Sequence, residues 1–157
     1  MKKIVAGKKI VAGLVMIIMV VSFSGCQKIE GDYKEGTYLG HVTDTYGGQN
    51  NEAIAVVYVG KSGKIESVYL DTTYTKGENV TTKKALGNDY NMKAYSNATL
   101  EWFEQINLLE KKVVEEQGID FINWTDAERT TTDSVSGVTI KINALYEAIH
   151  NALKQAK

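Results

Sequence analysis

Ala53-Ile54-Ala55-Val56-Val57-Tyr58-Val59 is a near-continuous apolar run rich in β-branched side chains, and it stops at Gly60-Lys61-Ser62-Gly63. A second run, Lys64 to Thr73, begins at once. Two such runs joined by a short glycine-containing loop predict an antiparallel hairpin, because the loop is too short for a parallel crossover. Gly36 to Tyr46 alternates weakly and reads as a strand ahead of the pair, with Gly47-Gly48-Gln49-Asn50-Asn51 as the intervening turn cluster. Helical spacing follows further on. Asn97 is placed as the N-cap of a helix through Gln117 with Gly118 as its stop, and Trp102, Ile106, Leu109 and Val113 share one packing face. Glu110, Glu115 and Glu116 of that helix are expected in water. A last helix is signalled by Ile142, Leu145, Ile149 and Leu153. The predicted class is α+β, an antiparallel sheet with packing helices in a single domain.

The first residues set the compartment. Met1 to Lys9 carries Lys2, Lys3, Lys8 and Lys9 without an acid, and Ile10 to Val21 is almost wholly apolar, the order of a secretory signal. The hexapeptide Lys-Lys-Ile-Val-Ala-Gly occurs twice here, at Lys2 and at Lys8, and only lengthens the basic region. The run to Phe23 is shorter than the roughly 20 residues that span a bilayer. Ser24-Gly25-Cys26 resembles the end of a bacterial lipobox, with Phe23 where Leu is usual. The resemblance implies a signal peptide over residues 1–25 and a lipidated Cys26 followed by a polar tether to residue 35. Cys26 is the only cysteine, so no internal disulfide is available.

Without residues 1–25, lysines and arginines fall from 18 to 14 against 19 acids, a mildly acidic surface that argues against nucleic acid. The remainder suits one domain with a true core. Proline is absent, so turns rest on the 14 glycines and on Asn and Asp.

Near the C-terminus, Asp133-Ser134-Val135-Ser136-Gly137-Val138-Thr139 leads into the last helical pattern. A glycine turn that delivers a hydroxyl to a helix start suits a phosphate, because unpaired amides and the positive end of the helix dipole point there. The heptapeptide resembles the flavinylation motif of the FMN-binding domain family, which includes flavin subunits of Rnf-type and sodium-pumping oxidoreductases and flavin lipoproteins of extracellular electron transfer. The motif runs Asp, two residues, Ser or Ala, Gly, Ala, then Thr or Ser. Asp133, Ser136, Gly137 and Thr139 match it, and Val138 stands where the family usually has Ala, two methyl groups larger beside the acceptor. The resemblance implies FMN joined through its phosphate to Thr139 by a separate magnesium-dependent flavin transferase.

Tyr74 to Asn91 is polar and irregular, and reads as a long loop without regular structure. Within it, Lys83-Lys84-Ala85-Leu86-Gly87-Asn88-Asp89-Tyr90-Asn91-Met92 resembles a segment of secreted members of the family. An isoalloxazine ring needs apolar or aromatic contacts, for which Tyr90, Met92 and Leu86 are candidates, and Lys84 is the candidate for the phosphate. Packing of Tyr90 and Met92 into the core is the equally open alternative. Asp120 to Trp124 reads as a short strand or a loop, with Trp124 a candidate shield for the site. His41 and His150 lack ligand spacing and read as solvated or structural. No nucleophile elbow, P-loop or metal cluster is present in the sequence, so no enzyme is expected.

The resulting expectation is a lipoprotein on the outer side of the cell membrane that carries FMN and relays electrons from a membrane donor such as a quinone-linked dehydrogenase. Reversible FMN binding and a flavin-free binding or surface-antigen lipoprotein are the alternatives.

Overall fold

The computed structural model describes residues 30–46 and 48–157. The signal segment, Cys26 and the first part of the tether lie outside these residues. Four strands, β1 (Gly36–Tyr46), β2 (Gln49–Val59), β3 (Ile65–Lys76) and β4 (Asn79–Thr82), form an antiparallel meander in the order β1-β2-β3-β4. Strand β2 begins earlier than the sequence suggests. Gln49, Asn50 and Asn51 already pair with Tyr46, Thr45 and Asp44, so this polar cluster is strand, stabilised by partners rather than by propensity.

Alternation decides which face is dry. Ala53, Ala55, Val57 and Val59 of β2 are fully buried, while Tyr58 points outward. Helix α2 (Trp102–Glu116) covers β3, and α3 (Asn143–Gln155) covers β1 and β2. Leu145, Ile149 and Leu153 of α3 are buried there, each contributing roughly 1.5–3 kcal/mol. Gly40 makes the close approach possible. A Cβ at this position would lie 1.9 Å from the Ala148 carbonyl oxygen and 2.6 Å from the Ala152 nitrogen, both helix backbone.

Three local expectations are corrected. Helix α2 starts at Trp102 rather than after Asn97, because the Glu101 amide donates to the Glu104 carboxylate at 2.7 Å, half of a capping box. The segment from Tyr74 to Asn91 is largely regular: β3 continues to Lys76, β4 follows, and a one-turn helix α1 (Lys83–Leu86) is capped by the Thr82 hydroxyl, which accepts from the Ala85 amide at 3.1 Å. Glu110 is not solvated; its carboxylate accepts from the Leu70 amide and pairs with the Lys84 ammonium. The end of the expected tether is docked as well. Glu30 and Gly31 amides donate to Ser62, the Tyr33 amide to Gly63 and the Lys34 amide to Ala156. Among the described residues no helix is long and apolar enough to cross a membrane.

Candidate functional site

One end of the sheet opens into a cleft of about 510 Å³, within the range of small-molecule sites. Its walls come from elements far apart in sequence. The end of β1 brings Tyr46, α1 brings Lys83, the short helical turns that follow bring Tyr90 and Met92, and the first turn of α2 brings Trp102. The segment Ile140–Lys141 and the first residues of α3 complete it. Aromatic edges organise one wall. Tyr90 meets Tyr74 edge-on at 5.2 Å between centroids and Trp102 at 6.5 Å. Burial pushes the Tyr90 phenol up to about 12, with Tyr74, Tyr46 and Asp44 adding to the effect, so at neutral pH it is a neutral group.

Lys83 is the unexpected member. Its ammonium stands 5.3 Å from the Trp102 ring, 5.5 Å from Tyr90 and 5.7 Å from Tyr46, within cation–π reach of all three. Only 8% of the residue is exposed. Burial pulls its pKa down, opposed by the fields of Asp44 and Asp71.

The motif residues divide between surface and core. Thr139, Ser136 and Asp133 are exposed, Gly137 and Ser134 are half-buried, and Val135 and Val138 are buried. Val138 therefore faces the core and does not crowd the threonine hydroxyl. Gly137 has φ 87°, in the left-handed region, and a Cβ there would meet Leu108 Cδ1 at 2.9 Å. The turn closes through the Val138 amide, which donates to the Val135 carbonyl at 3.1 Å.

Thr139 does not open the helix. It precedes α3 by four positions, and the residue before the helix is Ile142. Nor are the nearby amides free. The Thr139 amide donates to Gln105 Oε1 at 2.7 Å and the Ile140 amide to the same oxygen at 3.3 Å, so a buried glutamine of α2 takes the donors expected to meet a phosphate. The Thr139 hydroxyl donates to the same oxygen at 3.4 Å, although the residue as a whole is exposed. Ile140 and Lys141, which line the cleft, follow directly in the chain.

The structure thus brings Tyr90 and Met92 to the cleft and sets Thr139 next to its lining segment, but keeps Lys84 and Leu86 out of the lining. Lys84 pairs with Glu110 and lies 4.3 Å over the Tyr69 ring. Sequence reasoning missed Lys83 and Gln105. Adjacent lysines on one helical turn diverge by about 100°, and nothing in the pair itself tells which one a fold will turn inward. Gln105 carried a faint signal, since it precedes Ile106 on the buried side of α2.

A shallower hollow beside the cleft is bordered by Trp124, Arg129 and Tyr146. Trp124 and Tyr146 meet edge-on at 5.1 Å, and the Arg129 guanidinium lies 5.3 Å and 5.6 Å from their centroids. Asp126 fixes this loop: its carboxylate accepts from the Thr130 and Thr131 amides at 2.9 and 2.7 Å and from both hydroxyls. Those bonds, the Thr131 hydroxyl first, hold its pKa at about 2. Trp124 itself bridges to Thr132. His41 and His150 are exposed and face Glu52 and Glu147, and no group of three metal-ligating side chains occurs among the described residues.

No protein-family model matches the chain, and no curated protein matches it. Among solved structures, the solution NMR structure of a structural-genomics target from Clostridium thermocellum is 30% identical, with a TM-score of 0.53, over 78% of this chain and 91% of that chain. The shared identity over nearly the whole of that protein, together with the α+β fold, places this chain in the same family as the clostridial protein.

Proposed function

We propose that this chain is an exported, lipid-anchored carrier of FMN, with the cofactor's phosphate esterified to the Thr139 hydroxyl and its ring in the adjacent cleft. The observation that carries the reading is the pairing of an exposed threonine, on a glycine turn tied down by Gln105, with an aromatic-walled cleft whose lining starts at the next residue. The cleft residues fit a flat ring: Tyr90, Trp102 and Met92 offer apolar surface. When bound, FMN supplies transfer of one or two electrons.

The chain's own residues do the rest. Gln105 fixes the direction of the threonine hydroxyl, Val138 anchors the turn from inside, and the aromatic wall limits water at the ring. Attachment matters for an exported protein, since a reversibly held cofactor is lost when free ligand falls far below its Kd. A lipid at Cys26 would keep the carrier beside its membrane donor, and two attached acyl chains make such anchoring effectively permanent.

The test is intact mass of the chain co-expressed with a flavin transferase. Wild type gains the mass of one FMN less water and stays yellow after denaturation; Thr139→Ala gains nothing. An unmodified wild type, under conditions in which the transferase loads a control substrate, removes the covalent reading.

A further inference from the structure

Lys83 is more than nine-tenths buried, yet among the described residues its ammonium makes no hydrogen bond and no ion pair. Buried charges ordinarily find a partner, because water no longer solvates them. Here three aromatic faces supply part of the compensation, and Asp44, which also lines the cleft, and Asp71 favour the ammonium from beyond ion-pair distance. The amine lines the cleft rather than the core. On another side of the same cleft stand Asn143, Ala144 and Leu145, the first turn of the 13-residue α3, whose N-terminus no side chain caps. The uncapped amide end of a helix and an unpartnered ammonium therefore face one space, and both favour negative charge.

We propose that Lys83 is the charge partner of a flat, anionic ring bound in this cleft, so that the cleft holds a reduced, negatively charged isoalloxazine more tightly than the neutral oxidised one. The inference rests on the flavin reading above but not on attachment at Thr139. Reduction by dithionite, which leaves as sulfite, gives the ring two electrons, and water gives it one proton. One net negative charge remains on the ring, and Lys83 keeps its own proton. The ammonium then gains a partner that the oxidised ring does not offer. Lys83 is in this sense a binding residue that biases the cofactor toward its reduced state.

The experiment uses riboflavin, which has no phosphate and so makes no demand on Thr139, with the full chain produced in the absence of a transferase. Anaerobic equilibrium dialysis compares oxidised with dithionite-reduced riboflavin. Wild type should bind the reduced form about tenfold more tightly, equivalent to about 30 mV for a two-electron couple. Lys83→Met, which keeps the bulk and drops the charge, should bring the two forms within about twofold of each other, and Lys83→Arg should keep the preference. A purely structural lysine would instead weaken both forms alike. Equal binding of the two forms by wild type, no binding of either, or a preference that survives in Lys83→Met overturns the proposal. Failure of Thr139 to load in the mass experiment, with the preference intact, removes only the covalent attachment.

Discussion

Replacing Gln105 with methionine should loosen the turn that presents Thr139 while leaving the core volume nearly unchanged. Gln105 is 1% exposed, and its oxygen takes the Thr139 amide at 2.7 Å and the Ile140 amide at 3.3 Å, while its nitrogen donates to the Leu100 carbonyl at 3.1 Å. Four hydrogen bonds are lost, the fourth donated by the Thr139 hydroxyl at 3.4 Å, each with a net contribution of about 0.5–1.5 kcal/mol. Water reaching exposed Thr139 recovers part of this, and the apolar methionine avoids the desolvation that glutamine bears. The expected net loss is about 2–3 kcal/mol, which for a domain of this size lowers Tm by roughly 6–15 °C. Urea unfolding gives the free energy, and hydrogen exchange at the Thr139 and Ile140 amides reports the turn itself. Gln105→Glu, which retains the acceptor, separates loss of the bond from loss of bulk. Exchange at those two amides unchanged in Gln105→Met, with stability within about 0.5 kcal/mol of wild type, would refute the role assigned to this side chain.

Two further outcomes follow from the same geometry. Val138→Ala should cost about 1–3 kcal/mol through the buried methyl groups it removes, yet leave FMN loading at Thr139 unaffected, because Val138 points into the core; a rise in loading measured by intact mass would show that the valine crowds the acceptor after all. Asp126 has a folded pKa of about 2 against an ordinary 3.8, so its carboxylate contributes stability above the ordinary value that is lost as pH falls toward 2. The stability difference between wild type and Asp126→Asn should shrink across that window in acid unfolding, and a difference independent of pH would mean the carboxylate is not what holds the Arg129 loop.

The strand pair was legible in the sequence because β-branched runs broken by Gly60 and Gly63 admit few alternatives, and the structure pairs Ala53–Val59 with Ile65–Thr72 as an antiparallel hairpin. The buried faces of α2 and α3 were legible for the same reason: Trp102, Ile106, Leu109 and Val113, then Leu145, Ile149 and Leu153, recur at the helical period and all are buried. Boundaries were less so. Polar Gln49–Asn51 became strand because β1 lay opposite, and the cap of α2 moved from Asn97 to Glu101 because Glu104 reached back to it. The expected loop at Tyr74–Asn91 proved regular, since β4 gains its stability from pairing with β3 rather than from its own residues.

Neighbours along the chain were enough to locate the β2–β3 hairpin and the two long helices, to mark their apolar faces, and to show that Gly137 allows a turn ahead of Thr139. Tertiary structure alone decided which polar side chains lie inside. It turned Lys83 into the aromatic cleft and Lys84 toward Glu110, and it gave the amides of the turn to Gln105, thirty-four residues away in sequence. The reason is physical: burial and charge pairing depend on what other elements bring to within a few ångströms, and no spacing along one segment carries that distance.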